Sequence, residues 1–181
     1  MSSNSDSNEV TLAPLRIEHA DAMYRWMCDP VVAKNVGLRS EPSLEKSRAF
    51  VERAASDSSV EARAILLGGV HVGNVVLDQI DLHAQKARLS IYVGEGSVRG
   101  RGVGKRALAE ALALAFEELG LNKVWLTVHA RNAGAIAAYV AAGFQVEGVH
   151  REEFVLDGAR VDELYMGCLA GDFRAAQSQS A

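Results

Sequence analysis

Residues 87–106 read ARLSIYVGEGSVRGRGVGKR, a run that passes from alternating apolar positions through glycines into helical spacing. Ala87–Val93 alternates as a strand does. From about Val103 to Leu119 the apolar residues recur on one helical face, and Gly120 follows as a C-cap. The sequence therefore predicts a strand, a glycine-rich loop and a helix in direct succession.

The loop Arg99–Arg106 holds four cations, three glycines and no acid. Glycine lets the backbone approach a ligand closely, and the N–H groups and dipole of a helix start attract anions. We therefore predict a phosphate or pyrophosphate site; the alternative is a loop whose glycines only supply positive φ angles. Two better-known phosphate motifs do not fit, because Arg99 and Arg106 interrupt a Walker A loop and Lys105 interrupts a dinucleotide fingerprint.

Length and composition are those of one globular domain. The chain has 181 residues, 49% of them hydrophobic and 23% charged. At this length it can bury a sizeable core without disulfide bonds or bound metal ions. We expect a single domain over residues 9–170, with disordered tails over 1–8 and 175–181, where the residues are small and polar. Cys28 and Cys168 share no metal-ligand spacing, and we expect no metal site.

The charge balance argues against several classes of partner. With 19 Lys and Arg against 23 Asp and Glu, the chain lacks the basic excess of a nucleic-acid binder. No apolar run approaches the ~18 residues of a membrane-spanning helix, and Met1–Asn8 lacks the basic and apolar blocks of a signal peptide. We therefore expect a cytoplasmic protein with no nucleic-acid and no membrane partner.

The remaining segments predict a mixed order of strands and helices. Gly68-Gly69 and Asp157-Gly158 are hairpin turns, and a strand, helix and strand form a crossover between Leu89 and Leu126. The predicted class is mixed α/β, with a largely antiparallel sheet and helices on both faces. The predicted strands are 10–15, 62–67, 70–77, 87–93, 123–129, 144–156 and 160–169, and the helices 18–27, 44–55, 103–119 and 133–142.

A second motif follows the strand that ends at His129. Asn132 precedes a helix that carries Tyr139 and closes at Gly143-Phe144. Together with Arg99-x-x-Gly102-x-Gly104 after a strand, this order resembles the GCN5-related N-acetyltransferase (GNAT) superfamily.

The resemblance extends over Val10–Leu169. It implies the GNAT fold, a central, mostly antiparallel twisted sheet of about seven strands. In that fold two neighbouring strands, here Leu89–Val93 and Lys123–His129, separate so that a thioester enters between them. The late segments 147–151 and 161–166 look like the branch with ribosomal-protein N-terminal and amino-sugar acetyltransferases.

The resemblance also implies a coenzyme site. In the family such a loop binds the pyrophosphate of coenzyme A through backbone N–H groups, and the preceding strand pairs with the pantetheine arm. Acetyl-CoA is then the co-substrate, and Asn132 contacts the pantetheine arm. The implied coenzyme-binding residues are Ile91, Tyr92, Val93, Arg99, Gly100, Arg101, Gly102, Val103, Gly104, Lys105 and Asn132.

Acetyl transfer from a thioester to an amine needs a neutral amine, a stabilised oxyanion and a proton for the departing thiolate. The resemblance implies that Tyr139 is the general acid, and a phenol with a pKa of about 10 keeps its proton at neutral pH. The alternative for Tyr139 is an aromatic residue that packs on the sheet. A backbone N–H on the strand Ile91–Val93 is the implied oxyanion donor.

The general base is harder to identify. Many relatives carry a glutamate on the strand that corresponds to Ala87–Val93, and this strand has none. By its placement at a strand end, His129 is the catalytic candidate, while a water relay stays open. Weaker candidates are His83, Asp81, Glu147 and His150.

The predicted function is direct, acetyl-CoA-dependent N-acetylation of the primary amine of a small molecule, such as an amino sugar or a polyamine. Two alternatives stay open: an N-terminal acetyltransferase of proteins or peptides, of the ribosomal-protein type, and a non-catalytic acyl-CoA-binding module. The acidic hairpin 145–165 predicts either attraction for a cationic acceptor or a solvated rim. The hairpin Phe144–Leu169 could also serve a homodimer.

Overall fold

The computed structural model describes residues 8–38 and 40–180, and of 179 and 180 the backbone alone. Within these residues the chain forms seven strands and six α-helices. The strands are β1 (Val10–Pro14), β2 (Glu61–Leu67), β3 (Val70–Asp81), β4 (Lys86–Val93), β5 (Lys123–His129), β6 (Gln145–Leu156) and β7 (Ala159–Leu169). The helices are α1 (Ala20–Met27), α2 (Pro30–Asn35), α3 (Leu44–Ser56), α4 (Val103–Ala113), α5 (Ala133–Ala141) and α6 (Ala170–Ser180).

The described strands form one sheet in the order β1-β2-β3-β4-β5-β7-β6. The ladders of β1 with β2, β2 with β3, β5 with β7 and β6 with β7 are antiparallel, whereas β4 pairs with β5 in parallel. A parallel pair needs a crossover connection, and α4 supplies it. The predicted mixed α/β class with a mostly antiparallel sheet is confirmed, as are both hairpin turns.

Two helices begin with side-chain caps. The Ser43 hydroxyl accepts the N–H of Lys46 at 3.2 Å, and Asp29 Oδ1 accepts the N–H of Val31 at 2.8 Å. Helix α2 is not predicted from the sequence, because Pro30 is equally compatible with an element boundary. The structure places Pro30 in the first turn of α2, where its missing N–H costs nothing.

The predicted helix 103–119 is α4 followed by one wider turn, Leu114–Glu118. In that turn the N–H of Leu119 bonds to the carbonyl oxygen of Leu114 at 3.0 Å, five residues back instead of four. Such a turn keeps the apolar spacing of a helix over this short length, so the sequence pattern does not reveal it.

The described chain folds as two compact units, and the first holds the described residues up to Asp78 together with Ser90–Ala111. Its core is formed by buried side chains of α1, α3 and β2, with Trp26 among them. Trp26 is 3% exposed and packs on Gly94, where a Cβ would overlap the indole ring. Position 94 therefore needs glycine for space.

The second unit holds Gln79–Leu89 and the described residues from Leu112 onward. Its core is formed by fully buried side chains of β5, β7 and the segment after α4, with Met166 among them. Gly143 follows α5 with a φ of 102°, and a Cβ there would lie 3.0 Å from the carbonyl oxygen of Asp172. This glycine satisfies both a left-handed backbone angle and close packing.

The expected disordered tails, 1–8 and 175–181, fall outside the described residues at 1–7 and at 181. At the other positions, α6 extends to Ser180 and Asn8 accepts hydrogen bonds from two arginines. The first turns of α6 are anchored by the buried Phe173. This packing nucleates a helix that the small polar residues after it only extend.

We predict that Gly94→Ala lowers the free energy of unfolding by about 1–3 kcal/mol, because the added methyl must displace a rigid indole ring in a packed core. The measurement is urea unfolding followed by tryptophan fluorescence. Gly96→Ala is the matched control, since a Cβ at Gly96 would meet nothing within 4 Å. Equal unfolding midpoints for the two variants would show that the contact with Trp26 does not constrain this turn.

Candidate active site

The predicted anion loop lies between β4 and α4, in the first unit. A single helical turn, Gly96–Val98, leads into it, and α4 begins at Val103. Gly100 and Gly102 have φ angles of 76° and 73°, at which the backbone of residues other than glycine is strained. A Cβ at either position would meet nothing within 4 Å, so the glycines serve the backbone angle and border open space.

The start of α4 presents backbone donors. The N–H of Arg106 bonds to the carbonyl oxygen of Gly102 at 3.1 Å and begins the hydrogen-bond ladder of the helix. The N–H groups of Val103, Gly104 and Lys105 precede that bond, and the first donors of a helix have no partner within it. Donors and dipole together favour an anion at this end of α4.

Arg99 is tied to the fold by its guanidinium group. One Nη atom donates to Asp29 Oδ2 at 2.8 Å and to the carbonyl oxygen of Gly94 at 3.3 Å. The hydrogen bond from Arg99 lowers the pKa of Asp29. Arg99 therefore joins the loop to the residue that caps α2.

The other cations of the loop divide into two kinds. Arg106 donates to the carbonyl oxygens of Asn8 and Arg101, and Arg101 donates to the side chain of Asn8 at 3.4 Å. Lys105 is exposed. The arginines thus brace the loop, while the lysine adds positive charge that solvent and ligands can reach.

The end of β4 is fixed by a close approach to β3. A Cβ at Gly73 would overlap the carbonyl oxygen of Tyr92, so only glycine lets the strands come this close. The Nδ2 of Asn74, which is 1% exposed, donates to the Tyr92 hydroxyl at 2.7 Å. Burial raises the pKa of Tyr92 to about 12, and the bond from Asn74 opposes that rise. Tyr92 is a neutral phenol whose ring orientation is set.

Two histidines extend this cluster. The Oδ1 of Asn74 lies 2.9 Å from His71 Nε2, and the His71 ring lies 4.4 Å from that of His19 and 4.7 Å from that of Trp26. Burial lowers the pKa of His71, which favours the neutral imidazole. The sequence motifs do not reveal this cluster; its signal is Asn74, a polar residue that stands between the apolar Val72 and Val75 in β3.

The second motif lies in the second unit. Asn132 caps α5, since its Oδ1 accepts the N–H of Ala135 at 3.2 Å. Tyr139 is half-buried, with its ring 5.6 Å from that of Phe144. Burial raises the pKa of Tyr139, so the hydroxyl keeps its proton at neutral pH.

His129 ends β5 and is 9% exposed, with the ring of Phe154 at 6.2 Å. In the sheet register it stands opposite Glu163 of β7, and Glu163 stands opposite His150 of β6. Register between distant strands is not readable from local patterns, so the sequence indicates both histidines as candidates but not the glutamate that stands between them in the sheet.

Two of the weaker candidates for the general base, Asp81 and Glu147, make hydrogen bonds or ion pairs within the protein. Asp81 Oδ1 accepts the N–H of Ala84 at 2.8 Å in the turn that also holds His83, and Glu147 pairs with Lys123 at 2.5 Å.

Among residues 8–38 and 40–180, no group of three or more His, Cys, Asp or Glu side chains is arranged to hold a metal ion. No helix in that part of the chain is long and apolar enough to span a membrane.

Comparison with known proteins finds a family and a fold. The family model described as "Acetyltransferase (GNAT) domain" matches residues 9–145. The spermidine N(1)-acetyltransferase of Escherichia coli (strain K12) is 31% identical, over 84% of this chain and 81% of that protein. The putative ribosomal N-acetyltransferase YdaF of Bacillus subtilis (strain 168) is 28% identical, over 87% of this chain and 84% of that protein.

Among solved structures, the spermidine N-acetyltransferase of Vibrio cholerae in complex with CoA and spermine superposes with a TM-score of 0.86. It is 22% identical and covers 94% of this chain and 99% of that chain. At this identity the likeness establishes the fold.

We predict that Asn132→Ala lowers the free energy of unfolding by about 1 kcal/mol, because the first turn of α5 loses its cap. Asn132→Asp is the control, since an aspartate caps a helix equally well. The measurement is denaturant unfolding without coenzyme. An alanine variant as stable as the aspartate variant would show that the cap contributes nothing.

Proposed function

This chain belongs to the GNAT family of N-acetyltransferases, and on that premise we propose that it transfers the acetyl group of acetyl-CoA directly to the primary amine of a small molecule, such as a polyamine or an amino sugar.

The observation that carries the coenzyme part of this proposal is the loop before α4. Gly100 and Gly102 hold positive φ angles over open space, and the N–H groups of Val103–Lys105 start the helix. Such a loop suits a pyrophosphate, which accepts several backbone hydrogen bonds at once. The arginines brace the loop, so backbone donors and Lys105 supply the binding.

The proposed role of β4 is to receive the pantetheine arm. The parallel ladder with β5 pairs Lys86–Arg88 with Lys123–Trp125. Ile91–Val93 lie beyond that ladder and offer backbone groups to the arm and an N–H to the oxyanion. We assign Asn132 a contact with the same arm through its NH2 group, because its Oδ1 is engaged by the helix cap.

The proposed chemistry uses a neutral phenol and an imidazole. Tyr139 donates its proton to the departing thiolate, which the raised pKa of its hydroxyl permits throughout the neutral range. His129 accepts a proton from the acceptor ammonium, which has a pKa of about 10.4 for an alkyl amine and must lose a proton before it attacks. No covalent enzyme intermediate is needed.

The choice of acceptor class is supported by the polyamine-acetylating relative at 31% identity. A relative named as a ribosomal acetyltransferase, at 28% identity, supports protein N-termini as the second candidate. The deciding experiment follows release of coenzyme A thiol from acetyl-CoA with polyamines, amino sugars and N-terminal peptides. Acceleration by a small amine supports the proposal, and acceleration by peptides alone supports the second candidate. Silence with intact coenzyme binding favours a non-catalytic acyl-CoA-binding module.

We predict that Tyr139→Phe lowers kcat by about 100-fold or more, because the thiolate leaves without a proton donor. Coenzyme affinity and stability stay close to native, since the ring keeps its packing. Thiol release under saturating substrates measures the effect, and Tyr165→Phe serves as the control in the same unit. Unchanged turnover in Tyr139→Phe would remove this residue from the mechanism.

We predict that Gly102→Glu binds coenzyme A at least about tenfold more weakly than Gly102→Ala, which corresponds to about 1.4 kcal/mol. Both variants carry the same backbone strain at a φ of 73°, and the glutamate alone adds negative charge beside the pyrophosphate. Isothermal titration with coenzyme A measures both. Equal affinities would place the pyrophosphate elsewhere.

A further inference from the structure

We propose that Arg101 and Arg106 form a second anion site beside the glycine loop, and that this site binds the 3′-phosphate of coenzyme A. The inference rests on the proposed function, which assigns the pyrophosphate of the same coenzyme to the loop. Coenzyme A carries a further phosphate group on its ribose, and the backbone donors of α4 do not account for it. With this site, the protein selects coenzyme A over pantetheine derivatives that lack the 3′-phosphate.

The charges of the loop are not balanced by acids. Of its four cations, Arg99 forms an ion pair with Asp29 at 2.8 Å. Among the residues that the structure describes, Arg101, Lys105 and Arg106 form no ion pair with a carboxylate. Cations held close together repel each other unless an anion joins them. The loop therefore keeps an excess of positive charge that an anionic ligand can balance.

The two arginines converge on a single residue. Nη1 of Arg106 donates to the carbonyl oxygen of Asn8 at 2.5 Å, and Nη2 of Arg101 donates to Asn8 Oδ1 at 3.4 Å. Nη2 of Arg106 also donates to the carbonyl oxygen of Arg101 at 3.2 Å, which joins the two residues. Because both guanidinium groups reach oxygen atoms of one asparagine, the oxygen atoms of one phosphate can accept from both of them.

Asn8 is a replaceable partner for these arginines. It is exposed, and it offers only the oxygen atoms of neutral amide groups. A phosphate monoester carries a charge of about −1.5 to −2 at neutral pH, and guanidinium groups bind phosphates through parallel hydrogen bonds. The exchange of Asn8 for the phosphate therefore replaces a neutral partner with a charged one, while the bond between Arg106 and the Arg101 carbonyl can remain.

The site adjoins the donors proposed for the pyrophosphate. Arg106 lies in the first turn of α4, directly after the N–H groups of Val103–Lys105. Arg101 stands between Gly100 and Gly102, at which an added Cβ would meet nothing within 4 Å, and it is itself exposed. The pyrophosphate and the 3′-phosphate are attached to the same ribose. Neighbouring anion sites are therefore what the coenzyme requires.

The test compares the affinities for coenzyme A and for dephospho-coenzyme A, which lacks only the 3′-phosphate, by isothermal titration of the whole chain. We expect the native protein to bind coenzyme A at least about tenfold more tightly, because charge-assisted hydrogen bonds to the phosphate add to the affinity. Arg101→Gln and Arg106→Gln each lower this ratio of affinities. Arg48→Gln is the control, since it removes an exposed arginine of the same unit and leaves the ratio native.

A further variant adds a competing charge and keeps both arginines. In Asn8→Asp, a carboxylate takes the place of the amide that accepts from Arg101, and it competes with the 3′-phosphate for the guanidinium groups. We expect the affinity for coenzyme A to fall about three- to tenfold relative to that for dephospho-coenzyme A. If Asn8 only supports the fold, both ligands lose affinity equally, and that result contradicts the proposed site.

The outcomes separate this inference from the proposed function. Equal affinities of the native chain for the two ligands overturn the second anion site alone, and so does a native ratio in both arginine variants. If these variants fold poorly, the native ratio and the Asn8→Asp variant decide. Absence of binding of both ligands to the native chain overturns the proposed function first, because the pyrophosphate then has no site on the loop.

Discussion

The buried amide of Asn74 is the interaction on which the end of β4 depends. An amide with 1% exposure must satisfy both its oxygen and its nitrogen, and it does so with His71 and Tyr92. Because the ring of Tyr92 is held on this face, strand alternation directs Val93 to the opposite face. There a Cβ at Gly104 would lie 3.7 Å from Val93 Cγ2, so the strand end and the helix start pack closely. One buried polar residue thus sets the geometry from which the glycine loop departs.

The loop itself separates the work of its side chains from that of its backbone. The guanidinium group of Arg99 donates to Asp29, and that of Arg106 donates to the carbonyl oxygens of Asn8 and Arg101. The sequence predicts that backbone N–H groups bind the anion, and in the structure the three arginines of the loop make hydrogen bonds to the protein itself. Backbone donors do not reorganise when a ligand arrives, so a braced loop binds a pyrophosphate at little entropic cost.

What the sequence predicts here is what local patterns encode. The hairpin turn at Gly68-Gly69, the crossover through α4 and the helix that carries Tyr139 follow from spacing and turn residues, and the structure agrees. The pairs that depend on strand register are different. Asn74 donates a hydrogen bond to Tyr92, 18 residues away, and Glu163 stands opposite His129 in a ladder that no local pattern specifies. The helix over 170–180 escapes prediction because its packing against the core, not its composition, stabilises it.

The acidic hairpin shows why register also decides chemistry. Three of its six acids have partners close by: Glu147 pairs with Lys123, Glu152 lies 4.0 Å from Arg160, and Asp162 accepts a backbone N–H. The two acids that are paired with cations add little to the attraction of a cationic acceptor, which favours the solvated rim. Glu163 differs from them because its side chain is largely withdrawn from water, with Oε2 3.6 Å from His150 Nδ1. A carboxylate withdrawn from water needs compensation from the protein, whereas its exposed neighbours obtain it from solvent.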